Sequence, residues 1–167
     1  MKRNILISFL ILLMAGCSSK NPPLQTVEKV ELNKYLGKWY EIAKFDHYFE
    51  RGCSKANATY SLNPDSTIKV VNSCTKDGKY NEAIGKAYAT DNTNSKLKVS
   101  FFWPFYGNYW VLDLGKEYEY AVIGEPSRKY FWILSRTATI DFKLKNKIIL
   151  QMKSWGYDSK RLIWVEQ

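Results

Sequence analysis

Histidine and cysteine are scarce in this chain of 167 residues, which contains one histidine and three cysteines. They leave little material for a His/Cys metal site or for a Ser-His-Asp catalytic triad. Only 9 glycines and 5 prolines stand against 6 Trp, 12 Tyr and 8 Phe, which excludes a collagen-like or disordered chain. The composition predicts one domain with a packed, aromatic-rich interior.

The N-terminal segment has the pattern of a lipoprotein signal. Lys2 and Arg3 precede an apolar run over residues 5–15 that is too short to span a bilayer comfortably. The run ends in Leu-Met-Ala-Gly-Cys at 13–17, which resembles a bacterial lipobox. The resemblance implies that residues 1–16 are cleaved and that Cys17 becomes the acylated N-terminus. The alternative is an ordinary secretory signal followed by a coincidental cysteine.

The polar segment after the cysteine is interpreted as a tether over residues 17–30, carrying the lipid on Cys17. Several acyl chains anchor a protein durably to a membrane. Ser18 resembles the residue that directs lipoproteins to the outer membrane, so we expect an outer-membrane, periplasm-facing protein. The net charge of +9 falls to +7 without Lys2 and Arg3, which favours anionic lipid headgroups. Export argues against a nucleic-acid partner.

The remaining chain, residues 31–167, alternates polar and apolar residues with the period of a β-strand. A short helical turn at 31–36 ends at Gly37, and turn signals such as Asn63-Pro64 and Asp77-Gly78 separate the runs that follow. Eight strand-like runs can be counted, at roughly 38–46, 53–62, 67–75, 80–89, 96–103, 108–114, 118–124 and 129–136. Their regular spacing predicts an antiparallel meander.

One helix is predicted after the eighth strand. Apolar residues recur every four positions at 140, 144, 148 and 152, and Gly156 marks the end of the pattern. Thr139 is the predicted N-cap, and a last short strand is expected over 162–165. Eight strands in a flat sheet would leave two open edges that one helix is too small to cover. We therefore predict an all-β, eight-stranded antiparallel up-and-down barrel with one C-terminal α-helix packed outside.

Two sequence motifs resemble those of the lipocalin family. Gly37-Lys38-Trp39-Tyr40 resembles its G-x-W signature, and the run 130–137 ends near Arg136, the arginine that lipocalins place across that tryptophan. Runs at 40–52, 58–62 and 98–107 resemble the bacterial outer-membrane lipoproteins of the family in particular. We expect Gly37, Trp39 and Arg136 to be structural residues that close one end of the barrel, with a cation–π contact between the last two.

The resemblance implies a cup for an apolar ligand, and among bacterial members a fatty acid or a lysophospholipid. If residues of the eighth strand that share the parity of Arg136 face inward, Tyr130, Trp132 and Leu134 line this cup. They are predicted to be joined by Ala58, Tyr60, Leu97, Val99, Phe101, Tyr118, Tyr120 and Val122 from the other strands. A basic rim near Arg51 is expected to meet the ligand's carboxylate or phosphate. The alternative is that the same side chains simply fill the barrel, as in a structural, envelope-maintenance lipoprotein.

Cys53 and Cys74 remain after lipidation, and the midpoint between them falls at the Asn63-Pro64 turn. Folding the second and third strands about that turn brings them nearly opposite, so a disulfide is predicted, with two free thiols as the alternative.

Enzymatic and oligomeric roles have weaker support in the sequence. His47 is interpreted as a solvated loop residue, and no nucleophile or cofactor site is recognisable, so a lipid-modifying enzyme is a distant alternative. No cofactor and no metal are expected. A homodimer through Trp110 and other aromatic residues remains open.

Overall fold

The structure is a computed structural model, and it describes residues 21–167. The predicted signal peptide and Cys17 lie outside the described residues. The strands are β1 Gly37–Lys44, β2 Cys53–Leu62, β3 Ile68–Lys76, β4 Lys79–Ala89, β5 Lys96–Phe102, β6 Phe105–Leu114, β7 Tyr120–Gly124, β8 Phe131–Ser135 and β9 Ile163–Trp164. The helices are α1 Leu32–Tyr35 and α2 Phe142–Met152, with 3-10 turns at Tyr48–Glu50 and Ser159–Arg161.

Strands β1 to β8 form a closed antiparallel barrel. Each strand pairs with the next one in sequence, and β1 pairs with both β2 and β8, which closes the sheet into a barrel. The short β9 pairs with β1 at Ala43 and Lys44. The predicted up-and-down barrel with one C-terminal helix is confirmed. Within the described part of the chain, no helix is long and apolar enough to cross a bilayer.

The two ends of the barrel differ. The helix α1 lies where β1 begins, and we name this the closed end. The opposite, open end carries the connections 45–52, 77–78, 103–104 and 125–130, as the alternating strand directions require.

Two hydrophobic layers follow from the alternation of side chains along each strand. The inner layer faces the barrel interior and comprises Val30, Tyr35, Trp39, Ala58, Tyr60, Ile68, Val70, Ala87, Leu97, Val111, Tyr118, Ala121, Ile123 and Leu134. The outer layer packs the barrel wall against α2 through its buried residues Ile148 and Met152, and it includes Ile42, Phe45, Leu112, Phe131 and Ile133. The helix thus covers one side of the barrel, as its four-residue apolar period predicts.

The predicted N-cap of this helix is wrong by two residues. Asp141 is the N-cap, because its Oδ1 accepts a hydrogen bond from the amide of Leu144 at 2.7 Å. Thr139 lies in the preceding loop, where its carbonyl accepts a hydrogen bond from the hydroxyl of Thr137. Both residue types cap helices well, and the carboxylate adds a favourable interaction with the helix dipole.

A disulfide joins Cys53 to Cys74, as predicted from their spacing around the β2–β3 turn. Cys53 is the first residue of β2, where it is paired with Lys76, so the two cysteines lie diagonally across neighbouring strands. Their Cα atoms are 5.5 Å apart. The bond therefore fastens these two strands near the open end.

Residues 21–30 form an extended strap on the outside of the barrel instead of the free tether that was predicted. At the open end, Arg128 donates a hydrogen bond from Nη2 to the Pro22 carbonyl at 2.5 Å. Further along, Leu24 is buried, and the amide of Val27 donates to the carbonyl of Val111 at 2.9 Å. Val30 reaches the inner layer at the closed end. The strap therefore runs the length of the barrel wall.

Candidate functional site

The interior of the barrel holds most of the residues predicted to line a cup. Ala58, Tyr60, Leu97, Leu134 and Tyr118 are buried members of the inner layer, while Val99 and Trp132 are partly buried against it. The hydroxyl of Tyr118 accepts a hydrogen bond from the amide of Glu31, which places this ring at the floor beside α1. Phe101 and Tyr130 lie at the open end and are partly exposed.

The predicted orientation of Tyr120 and Val122 is wrong. Both belong to the outer layer under α2, and their neighbours Ala121 and Ile123 face the interior instead. The cause is a left-handed backbone at Tyr118, with a φ of 59°. This turn residue precedes β7, so the alternation that appears to run through it in sequence restarts at the strand's first residue.

The floor of the barrel is built on Trp39 and Arg136. The guanidinium carbon of Arg136 lies 3.8 Å from the Trp39 ring centroid. Its nitrogens donate to the carbonyls of Lys34, Leu36 and Lys38 at 2.7 to 2.9 Å. Gly37 lies between these carbonyls with a φ of 93°, in the left-handed region that favours glycine. The motif residues therefore close the floor, and none of them touches the open end.

Three tyrosines form a hydroxyl cluster within the interior. The hydroxyl of Tyr109 lies 2.6 Å from that of Tyr35 and 3.0 Å from that of Tyr60. Burial raises the pKa of Tyr60 to about 12 and raises the pKa values of the other two well above the usual value. All three stay neutral at physiological pH, so the cluster can exchange hydrogen bonds with a polar group but supplies no charge.

A charged cluster is also buried inside the barrel, nearer the open end. Lys44 Nζ lies 3.1 Å from Glu41 Oε1 and 3.1 Å from Glu50 Oε2. Glu41 is paired with Leu134 and Lys44 with Trp132, because the β1–β8 register shifts after Glu41. This bulge lets two side chains three residues apart point into the same interior.

Glu41 is held in its protonated form near neutral pH. Burial raises the pKa of Glu41 to about 8, the nearby carboxylate of Glu50 adds to the rise, and Lys44 opposes it. Glu41 Oε1 has no aligned hydrogen-bond donor among the described residues, although the ammonium lies within ion-pair distance. The cluster is thus one ion pair plus a neutral carboxyl group, which costs less to bury than two carboxylates sharing one ammonium.

His47 is buried, which contradicts its predicted position in solvent. Only 3% of the residue is exposed, and its ring lies 4.7 Å from the Trp132 centroid and 5.4 Å from that of Phe49, on which it stacks. Burial and the ammonium of Lys44 lower the pKa of His47 to about 4. Its Nε2 has no hydrogen-bond partner within residues 21–167. A neutral histidine therefore packs as an aromatic residue under the mouth.

The open end presents an exposed aromatic rim, which we define as Tyr48, Phe49, Phe102, Trp103, Phe105 and Tyr130. Trp103 is 80% exposed and Tyr48 77%. Arg51, near which a basic rim is expected, is bound by Asp46 through both carboxylate oxygens. Exposed apolar patches of this kind mark sites that contact a membrane, a ligand or a protein.

Three further features of the described residues bear on a dimer contact, a surface cavity and a metal site. Trp110, considered for a dimer contact, is partly buried against the outer layer, with Lys96 Nζ 4.7 Å from its ring centroid. A surface cavity of about 560 Å³ lies beneath the strap, lined by residues that include Leu24, Trp110 and Arg128. Within residues 21–167, no three His, Cys, Asp or Glu side chains are arranged to hold a metal ion.

The sequence pattern missed the most polar part of the interior. Glu41 shares the parity of Trp39 and could have been placed inside by that signal alone. Lys44 could not, because the bulge after Glu41 reverses the parity, and Glu50 lies on a loop. Tyr109 shares its parity with Val111, so the inner face of β6 could have been identified from the alternation of that strand.

Comparisons with known proteins agree on one family. Residues 30–167 match the family model described as a lipocalin-like domain. The chain is 45% identical over 160 residues to the outer membrane lipoprotein Blc of Escherichia coli, covering 93% of this chain and 90% of that one. It is 38% identical to temperature-induced lipocalin-1 of Arabidopsis thaliana, covering 83% and 80%. Among solved structures, insecticyanin of Manduca sexta superposes with a TM-score of 0.72 at 20% identity, covering 88% and 86%.

Proposed function

Because the chain belongs to the lipocalin family, we propose that it binds fatty acids or lysophospholipids inside its barrel while an acylated Cys17 holds it at the bacterial outer membrane. Lipocalins bind small hydrophobic ligands, and the family places this chain among binding and transport proteins. The choice of lipid, the acyl anchor and the periplasmic orientation are the parts that we propose.

The observation that carries the proposal is the polarity of the interior. Its wall is apolar from Trp39 at the floor to Val99, which suits an acyl chain. The polar exceptions are the hydroxyls of Tyr35, Tyr60 and Tyr109 and the cluster of Glu41, Lys44 and Glu50. A ligand with one polar end and one long apolar end matches this distribution better than a wholly apolar one.

Two features support a membrane facing the open end. Tyrosine and tryptophan favour the bilayer interface, and the aromatic rim presents both there. The strap begins at the same end, since Pro22 contacts Arg128 in the β7–β8 connection. An anchor on Cys17 would thus hold the mouth, and not the floor, against the lipid.

A titration tests ligand binding. A fluorescent fatty acid and a lysophospholipid are added to protein carrying Cys17→Ser, with native mass spectrometry to count bound molecules. We expect saturable binding of one lipid per chain at micromolar lipid. A Trp132→Arg variant should weaken this binding, because it places a charge in the apolar wall. Absence of saturable binding would favour the structural lipoprotein with a filled barrel, and so would an effect of Trp132→Arg on stability alone.

Membrane contact is tested with matched surface variants. Replacing Phe102 and Trp103 by serine should reduce binding to vesicles that contain anionic lipid. Replacing Phe142 and Leu150 of α2 by serine should not, although these residues are equally exposed, at 76% and 78%. Equal losses in both double variants would show that the rim has no special role. Labelling cells with palmitate, with Cys17→Ser as the control, tests the acyl anchor itself.

A further inference from the structure

The barrel wall is split between β4 and β5 on the side of the open end. The two strands are paired only from Lys86–Ser100 to Ala89–Leu97. Beyond that point, residues 79–85 of β4 are paired with β3 alone, and the end of β5 is paired with β6 alone. Continuing the Lys86–Ser100 register places Gly85 opposite Phe101 and Ile84 opposite Phe102, and these unpaired positions form the split. Residues 79–83 of β4 extend past the end of β5.

A cavity of about 310 Å³ occupies this split. That volume lies at the lower end of the range of roughly 300–1,000 Å³ that is typical of small-ligand pockets. The lining is mainly apolar and aromatic, with Ile84, Phe101, Phe102, Trp103 and Tyr106. The hydroxyl of Ser100 also lines it, and this oxygen is buried without a hydrogen-bond partner among the described residues.

The ring of Phe101 lies against β4 at the split. Phe101 follows Leu97 and Val99 on the inward face of β5, and its ring covers Gly85. A Cβ on residue 85 would lie 2.8 Å from two carbons of the Phe101 ring. Glycine at this position therefore leaves the space that the ring occupies. Phe101 is 43% exposed, and few contacts therefore hold its ring in this position.

The outer edge of the split is part of the aromatic rim. Phe102 is 75% exposed and Trp103 is 80% exposed, and both line the cavity as well as the rim. A membrane in contact with these residues would place its acyl region beside the split. The cavity is therefore continuous with the surface for which we propose membrane contact.

We propose that the split between β4 and β5 is a side opening through which the acyl chain of a membrane lipid passes into the barrel, with Phe101 as its inner gate. This inference rests on the proposed lipid-binding function. An acyl chain fits the apolar lining and can slide past a rotating ring, and the Ser100 hydroxyl can hydrogen-bond the ester or carboxyl oxygen that follows it. Lipid can then enter from the side without its apolar chain crossing water.

Closing the split tests the route. Ile84→Cys and Phe102→Cys are introduced into the Cys17→Ser protein and joined by a short bis-maleimide linker, with Cys53 and Cys74 already occupied by their disulfide. Uptake of an anthroyloxy-labelled palmitate from vesicles of phosphatidylethanolamine and phosphatidylglycerol is followed by stopped flow. We expect uptake and release in the linked protein to be at least about tenfold slower than in the same double-cysteine protein without the linker. The Kd should be equal in the two, because blocking one route slows entry and exit by the same factor.

The matched control places the same linker between two strands that are already hydrogen-bonded to each other. Lys98→Cys and Asn108→Cys lie directly opposite each other on β5 and β6, and linking them should leave both rates unchanged. Phe101→Ala should speed both uptake and release, and any loss of contact between this ring and the ligand is measured separately as a change in Kd.

Two outcomes would overturn the proposal. Wild-type uptake rates in the linked Ile84/Phe102 protein would show that lipid enters elsewhere, and unchanged rates in Phe101→Ala would remove the gate. If wild type and control bind no lipid at all, the proposed function fails instead, so the two failures are distinguishable.

Discussion

Arg136 contacts Trp39 and the backbone of α1 at once: its guanidinium carbon lies 3.8 Å from the ring centroid, and Nη2 donates to the carbonyls of Lys34 and Leu36. The residue that follows the last barrel strand is thereby joined to the helix that precedes the first. The contact seals the floor and holds the barrel's two sequence ends together.

Replacing Arg136 by lysine should lower stability without affecting ligand binding. Lysine keeps the charge but loses the planar face and the forked donors, so the carbonyls of a partly buried turn lose their partners. We expect a loss on the order of 1–3 kcal/mol. Urea unfolding of wild type, Arg136→Lys, Trp39→Phe and the double variant gives the coupling energy of the pair. A coupling energy near zero would contradict the contact.

Stability should fall as the pH rises because of Glu41. Its pKa is about 8 in the folded protein and near the ordinary value of 4.5 in the unfolded chain. Between these values the folded state holds a proton that the unfolded state lacks, so the free energy of unfolding decreases by up to about 1.4 kcal/mol per pH unit. Glu41→Gln should remove this decrease in urea titrations from about pH 6.5 to about pH 8. An unchanged slope in the variant would show that Glu41 is ionised.

His47 has the opposite effect at lower pH. Its pKa falls from 6.5 to about 4 on folding, so the unfolded chain binds a proton that the folded protein does not. Stability is therefore lost as the pH falls from about 6.5 towards about 4. His47→Phe keeps a ring beside Phe49 and Trp132 and should flatten this part of the profile. A wild-type profile in His47→Phe between these pH values would refute the assignment.

The disulfide should stabilise the barrel without controlling the ligand. It closes a loop with a sequence separation of 21, which corresponds to roughly 3 kcal/mol in the chain-entropy description. Replacing Cys53 and Cys74 together by serine should lower the urea midpoint by a corresponding amount. Lipid titration of the same variant should give the wild-type Kd, and a large change in Kd would show that these strands shape the site.

Strand alternation and the two family motifs were sufficient to predict the barrel. Every predicted run corresponds to a strand. A strand with one buried and one exposed face alternates apolar and polar residues, and this alternation is visible in the sequence. The prediction of which side chains point into the barrel failed where an irregular backbone interrupts the two-residue alternation of the strand. Tyr118 is left-handed, and register shifts occur after Glu41 and after Val111. Such irregularities depend on how neighbouring strands twist together, which no local pattern records.

The sequence did not predict the buried polar residues of the site, and the reason is different. Glutamate and lysine in a strand are typical of a solvent-exposed face, and only their mutual contact makes burial tolerable for Glu41 and Lys44. The partner that completes this cluster, Glu50, comes from a 3-10 turn beyond the end of the strand. His47 was likewise misplaced, because its aromatic neighbours Tyr130 and Trp132 are distant in sequence.

The strap limits how far the protein can travel from its membrane. Residues 21–30 are bound to the barrel, so if Cys17 carries an acyl chain, only the few residues up to Asn21 connect the anchor to the barrel. Four peptide units extend to at most roughly 14 Å, against the 40 Å or so of an unbound tether. If Cys17 is acylated as proposed, a connection of this length would keep the barrel beside the membrane that carries the anchor. The barrel would exchange lipid with the leaflet that holds its anchor, and transfer to a second membrane would require a separate carrier protein.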